Sequence, residues 1–166
     1  AAPEPVAEDG APKPKRKGPA GRGFVSGREP GRVPAVLAAI EAQPDAEVRW
    51  RMRSAVLRRW GQFDPQRALH YAEGLPYSEG ARLPSVASVV SGWYQADPAG
   101  AVEWLQRQPE GPMRFTAEQA LLRSLGSDDP LLALDLLLAG PDGNPQRGTL
   151  FTEVFRELAA RDPAEA

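Results

Sequence analysis

The sequence predicts an all-α fold, an open right-handed α-solenoid of about four antiparallel helix pairs with a disordered N-terminal tail. Three observations lead to this prediction. The dipeptide Asp-Pro occurs four times at spacings of 33, 32 and 33 residues. Apolar residues flank each copy with the period of an α-helix, and the first thirty residues are rich in proline and poor in large apolar side chains. A fixed period of this length is typical of stacked helical repeats.

Composition places the chain among soluble globular proteins. Its 166 residues are 42% apolar and 25% charged, which suits one domain with a tail. It has no cysteine, so disulfide frameworks, zinc–thiolate sites and cysteine nucleophiles are excluded. No apolar run approaches the roughly 18 residues of a membrane-spanning helix. The net charge of −2 does not favour nucleic-acid binding by the chain as a whole.

Residues 1–31 are predicted to be a disordered linker or tail, and residues 32–166 a helical-repeat domain. Five prolines fall within the first twenty residues, and few apolar side chains are available there to offset the entropy of ordering. A basic cluster lies among these prolines, and we interpret it as solubilising charge, with a nuclear address or a phosphate contact as the alternative. It consists of Lys13, Lys15, Arg16 and Lys17.

Each Asp-Pro pair predicts the start of a helix, here called helix B. Aspartate caps the free N–H groups of the first turn, and proline suits the first helical position. An alanine follows each aspartate by four residues and would let a neighbouring helix approach. A proline follows by twelve residues and predicts the helix end after about eleven residues. The residues in these columns are Asp64, Pro65, Ala68 and Pro76; Asp97, Pro98, Ala101 and Pro109; Asp129, Pro130, Ala133 and Pro141; and Asp162 with Pro163.

A longer helix A is predicted to end just before each Asp-Pro. Its main apolar column lies four residues before the aspartate and holds Trp60, Trp93, Leu125 and Leu158. A second column, seven residues after the aspartate, holds Tyr71, Trp104 and Leu136. An aromatic cage is one interpretation of these residues. Packing is the other, and we prefer it because leucine takes the same positions in other units.

The repeat predicts eight helices, in the order B, then three A–B pairs, then a last A. Residues 32–44 fit the B half of an irregular first unit, which is expected where a stack begins. The chain ends four residues into a B helix, so we expect it to be a fragment of a longer repeat protein. The predicted helices are 33–43, 46–62, 65–75, 81–96, 98–108, 113–127, 130–139 and 147–161.

Paired helices with this period resemble tetratricopeptide and Sel1-like repeats. The small residue four positions after the aspartate matches the tetratricopeptide pattern, although helix B is shorter here. The pattern W-x3-D-P-x2-A-x2-W-x4-P at residues 93–109 also resembles repeat proteins of bacteria with large, GC-rich genomes. The resemblance covers about residues 32–166 and implies a bacterial protein-binding scaffold without catalytic residues. We favour the cell envelope or secretion over the cytoplasm, since small residues such as the first alanines flank signal-cleavage sites.

We therefore expect a non-catalytic scaffold that binds a protein partner on a concave solenoid surface and needs no cofactor. The single histidine, His70, cannot build a multi-histidine metal site, and no cysteine can assist it. One alternative is an adaptor for nucleic acid or another polyanion that uses the tail with Arg51, Arg58 and Arg59 of the first A helix. Another is a structural spacer within a larger envelope or secreted protein.

Overall fold

The computed structural model describes residues 30–77, 80–140 and 142–161, which form eight α-helices and no β-strand. The all-α prediction is confirmed for this part of the chain. A short 3-10 turn at Pro30–Arg32 leads into the first helix. The helices are α1 (Val33–Glu41), α2 (Ala46–Gly61), α3 (Pro65–Glu73), α4 (Arg82–Ala96), α5 (Pro98–Gln106), α6 (Pro112–Asp128), α7 (Pro130–Ala139) and α8 (Arg147–Arg161).

Several residues named in the sequence predictions lie outside the described residues. They are the tail up to residue 29, including Lys13, Lys15, Arg16 and Lys17, and the repeat residues Pro141, Asp162 and Pro163.

The predicted helix bounds agree with the observed ones to within two residues, and the main difference is the length of helix B. Helices α3 and α5 each have nine residues rather than eleven, and end at Glu73 and Gln106. Both ends precede the loop prolines Pro76 and Pro109. A proline disfavours helical geometry in the residue before it and offers no N–H, so the helix ends earlier than a simple stop at the proline would suggest.

The aspartates of the described Asp-Pro pairs are N-caps. The side chains of Asp64, Asp97 and Asp129 each accept a hydrogen bond from the backbone N–H three residues later, at 3.3, 3.0 and 3.0 Å. The following proline begins the helix in each case. These bonds satisfy N–H groups that a helix start leaves without an intrahelical partner. The local chemistry of the dipeptide thus sets where three helices begin.

Helices α2, α4, α6 and α8, here called the row helices, contact one another in sequence order. The other four, the covering helices α1, α3, α5 and α7, pack on the row. Helix α3 contacts α2 and α4, α5 contacts α4 and α6, and α7 contacts α6 and α8. The side of the row toward these helices is called the covered face, and the opposite side the open face.

Two aromatic pairs with the same geometry join row helices to covering helices. The rings of Trp60 and Tyr71 have centroids 6.1 Å apart, and those of Trp93 and Trp104 lie 6.0 Å apart, both at an interplanar angle of 48°. Trp60 and Trp93 are only 4% and 7% exposed. Tilted rings at this separation suit aromatic packing. The aromatic column therefore fills the covered face, as the packing interpretation requires.

The smaller members of these columns are buried too. Leu125, Leu136 and Leu158 take the aromatic positions in the later units and are buried. The alanines four residues after each aspartate have no exposed surface, so a covering helix lies close to the row there. These alanines are Ala68, Ala101 and Ala133.

Helices α2 and α4 approach so closely that two glycines are required. A Cβ atom added at Gly92 would lie 1.8 Å from the carbonyl oxygen of Arg58, and one at Gly61 would lie 2.3 Å from that of Val89. These distances are shorter than any van der Waals contact. The two glycines therefore allow the backbones of α2 and α4 to come into direct contact.

A column of four arginines, here called the loop arginines, was not identified from the sequence. It lies fifteen residues before each Asp-Pro aspartate. Each guanidinium donates to the backbone carbonyl of the residue just before a loop proline, at 2.6, 2.6, 2.6 and 2.8 Å. Such carbonyls lack helical partners, and a cation suits the negative end of a helix. The donor–acceptor pairs are Arg49–Gln43, Arg82–Leu75, Arg114–Gln108 and Arg147–Gly140.

Candidate functional site

A cavity of about 740 Å³ lies on the open face between α2, α4 and α6. We call it the open-face groove. Its floor is α4, which presents the small side chains of Ala87, Ser88 and Ser91. Because Gly92 also brings α4 against the backbone of α2, helix packing forms most of the groove, and Tyr77 and Gly80 of the α3–α4 connection complete its edge. No residue of a covering helix lines it.

The groove has one aromatic end. Trp50 of α2 and Tyr77 of the α3–α4 connection both line it, and they are 51% and 55% exposed. The guanidinium carbon of Arg82 lies 4.1 Å from the Tyr77 ring centroid, a cation–π contact. Since Arg82 is also bound to the carbonyl of Leu75, Tyr77 is held beside the groove. The two rings offer apolar surface that no described helix covers.

The walls carry cations at related repeat positions. Arg58 on α2 and Arg123 on α6 line the groove and are exposed. Both stand six residues before an Asp-Pro aspartate, the position that Ser91 fills on the floor between them and Arg156 fills on α8. The sequence held this signal, because the column could be read by aligning the units on Asp-Pro. Only the structure shows that the column faces the open side.

The arginines of α2 that the sequence offers as polyanion contacts have different surroundings. Of Arg51, Arg58 and Arg59, only Arg58 lines the groove. Arg51 lies 3.7 Å from the carboxylate of Glu47 in an exposed ion pair. Arg59 donates a hydrogen bond to the side-chain oxygen of Gln62. Of the three, Arg58 is therefore the one that a ligand in the groove would contact.

Two buried charged residues occupy another repeat column, eleven residues before the aspartate. Arg53 is buried and its Nε lies 2.9 Å from a carboxylate oxygen of Glu41 on α1. Glu118 is buried and accepts a hydrogen bond from Asn144 at 2.7 Å. Val86 takes this position on α4. Neither charged residue was singled out from the sequence, and both anchor neighbouring segments rather than line the groove.

Burial and the ion pair of Arg53 with Glu41 affect the pKa of Tyr71 on α3. Burial raises the pKa of the Tyr71 hydroxyl, the nearby Glu41 carboxylate raises it further, and Arg53 lowers it. Burial likewise raises the pKa of Tyr94, with contributions from Asp128 and Asp129. Tyr71 lies on α3 and Tyr94 on α4, and neither residue lines the groove.

Three of the four serine and threonine hydroxyls that line the groove form hydrogen bonds within their own helices. Ser88, Thr116 and Ser124 donate to the carbonyls four residues earlier, at 2.9, 2.8 and 3.2 Å. His70 is exposed on the covering helix α3 and does not line the groove. Across residues 30–77, 80–140 and 142–161, no group of three or more His, Asp or Glu residues is arranged to hold a metal ion.

No protein-family model, curated protein or solved structure matches this chain. Among the described helices, none combines the length and the apolar character that a membrane-spanning segment needs.

Proposed function

We propose that this chain is a non-catalytic α-solenoid scaffold, similar to tetratricopeptide and Sel1-like proteins, that binds a protein partner in the open-face groove. The solenoid arrangement is supported by the regular order of contacts. Each row helix contacts the next, and the covering helices lie between successive row helices. Stacked units of this kind form an extended concave surface on one side.

The observation that carries the proposal is the groove itself. It collects side chains from three row helices into about 740 Å³. Exposed aromatic residues beside small ones are typical of protein-binding surfaces, because an aromatic ring offers a large contact area at low entropic cost. Trp50 and Tyr77 fill this role here. Neither residue belongs to the aromatic pairs of the covered face, which are formed by Trp60 with Tyr71 and by Trp93 with Trp104.

A non-catalytic role is supported by the chemistry of the lining. A serine or threonine nucleophile needs a base within hydrogen-bond reach. In the groove, Ser88, Thr116 and Ser124 instead donate to carbonyls of their own helices. The described lining contains no histidine or carboxylate to serve as that base.

Site-specific photocrosslinking tests the scaffold proposal. A photoreactive phenylalanine would replace Ser91 on the groove floor, or Gln66 on α3 as the matched control, since Gln66 is exposed away from the groove. The chains would be irradiated in an extract of the source cells. We expect a discrete protein adduct at position 91 and none at 66.

Titration of that purified partner completes the test. Ser91→Trp fills the groove and should weaken binding by at least about tenfold, while circular dichroism shows unchanged helix content. Equal crosslinking at both positions, or full affinity in Ser91→Trp, would show that the groove is not the binding surface.

A further inference from the structure

The charged side chains among the described lining residues of the open-face groove all carry the same sign. Three arginines line it, namely Arg58, Arg82 and Arg123, and none of the described lining residues is acidic. Arg82 is held by the carbonyl of Leu75 and by the Tyr77 ring, so its charge is fixed at the aromatic end. Within the described part of the chain, Arg58 has no carboxylate partner. A concave, water-exposed site with this charge attracts anions.

We infer that the groove binds an extended acidic segment of a protein partner, with carboxylates at Arg58 and Arg123 and an apolar side chain at Trp50 and Tyr77. This inference rests on the proposed scaffold function and names its ligand. Guanidinium groups pair with carboxylates through two parallel hydrogen bonds. The small floor residues between the two arginines leave room for a peptide backbone.

The spacing of the arginines sets a length for the segment. Arg58 lies on α2 and Arg123 on α6, with α4 between them. Packed helix axes lie 8–10 Å apart, so the two positions are separated by roughly 16–20 Å. An extended chain advances about 3.3 Å per residue, so this distance corresponds to about five or six residues. The ligand should therefore carry two acidic residues at that separation.

The neighbouring unit argues for a short acidic peptide and against a long nucleic acid. Helix α8 has Glu153 and Glu157 where α6 has Ala120 and Ser124. Both glutamates line a smaller cavity of about 250 Å³ beside Arg123. Double-stranded DNA carries a charge every ~1.7 Å, so a nucleic acid that continued along the row would meet these carboxylates. Arg156 lines the same cavity, so the surface beyond Arg123 carries charges of both signs, whereas the described lining of the groove is basic only.

The test is selection of displayed random twelve-residue peptides on the full chain, followed by fluorescence anisotropy with the enriched sequences as synthetic peptides. The variants are Arg58→Glu/Arg123→Glu, the groove-filling Ser91→Trp, and Arg156→Glu as the matched control. Arg156 occupies the same repeat column and is exposed, but it lies outside the groove. Circular dichroism checks that each variant keeps its helix content. A twenty-nucleotide oligothymidine serves as the polyanion probe.

We expect enriched peptides with two acidic residues five or six positions apart. Their affinity should fall at least about tenfold in Arg58→Glu/Arg123→Glu and in Ser91→Trp, and should change less than about twofold in Arg156→Glu. Enriched peptides without acidic residues that still lose binding in Ser91→Trp would overturn this inference and leave the scaffold proposal standing. Peptides that bind Ser91→Trp as well as the wild type, or no enrichment at all, would contradict both proposals.

The oligothymidine probe distinguishes a nucleic-acid ligand from an acidic peptide. If oligothymidine binds more tightly than every selected peptide and is lost in Arg58→Glu/Arg123→Glu, the groove binds nucleic acid and the acidic-peptide inference is wrong. If oligothymidine binding is weak and disappears near physiological salt, as a few surface contacts would predict, the inference is supported.

Discussion

The covered and open faces of the row helices differ in how faithfully they repeat. On the covered face, the same kind of residue returns in every unit, as with Trp60, Trp93 and Leu125. On the open face, the residue six positions before the aspartate is arginine in three units and serine in the other, so its size and charge change between units. On the covered face, each covering helix packs on the row helices in a similar way. The space between them is therefore filled by a large apolar side chain in each unit. Nothing in the described fold imposes that condition on the open face, and side chains there are free to differ with function.

Tryptophan shows the difference most directly. Trp93 on the covered face is 7% exposed and packs against Trp104 with tilted rings, whereas Trp50 on the open face is 51% exposed. The two residues have the same chemistry but different surroundings. Trp50 shares its repeat column, fourteen residues before the aspartate, with Leu83 and Phe115, so its exposure and not its column distinguishes it from Trp93. In this fold, burial on the covered face indicates a packing role, and a large exposed side chain on the open face indicates a surface that a partner can contact.

The largest expected effect compares these two tryptophans. Trp93→Ala should lower the free energy of unfolding by about 3–5 kcal/mol, because a large buried side chain is removed. Trp50→Ala should change it by no more than about 0.5 kcal/mol, because little packing is lost. Urea denaturation followed by circular dichroism measures both. Equal losses would mean that the two faces are packed alike, contrary to the comparison.

The close approach of α2 and α4 gives the next effect. Gly92→Ala places a Cβ 1.8 Å from the Arg58 carbonyl oxygen, so the helices must separate at a cost of about 3 kcal/mol. The matched control is Gly126→Ala in α6, where an added Cβ meets no atom within 4 Å. That substitution should stabilise the protein by about 0.5–1 kcal/mol through helix propensity. Thermal unfolding of the two variants should shift in opposite directions, and parallel shifts would refute the assigned contact.

A loop arginine gives a smaller effect. Arg114→Met removes the hydrogen bond to the Gln108 carbonyl, made at 2.6 Å, and should cost about 2 kcal/mol because the donor is charged. Arg107→Met is the control, since Arg107 forms an exposed ion pair with Glu103 on one helix and should cost at most about 0.5 kcal/mol. Chemical denaturation distinguishes them. If Arg114→Met were as mild as Arg107→Met, the loop arginines would be surface charges and not part of the repeat.

The smallest expected loss of stability follows from removal of the N-cap of α5, Asp97. Asp97→Ala removes the acceptor for the Gly100 N–H, which is 3.0 Å away, and should cost about 1 kcal/mol. Asp97→Asn keeps an acceptor oxygen in place and should stay within a few tenths of a kcal/mol of the wild type. Denaturation midpoints provide the comparison. A large loss in Asp97→Asn would indicate that the carboxylate charge, and not the hydrogen bond, is what helix α5 needs.

Much of the fold could be predicted from the sequence because its determinants are local. A capping aspartate and a first-turn proline act within three residues of each other, and helical periodicity is visible within one helix. Repetition strengthened each signal, since a column seen in several units is hard to attribute to chance. The helix bounds and the packing role of Trp60 and Trp93 followed from this. The loop arginines were open to the same reasoning, because Arg82 and Arg114 stand in the same column.

The groove was decided only by the tertiary structure. The sequence places several arginines on α2, but it does not say that Arg53 is buried against Glu41 while Arg58 faces the groove. Which side of a helix is covered depends on contacts between residues far apart in the chain, and so does the approach that requires Gly92. These contacts set burial, and burial decides whether a charged or aromatic side chain stabilises the fold or remains available to a partner.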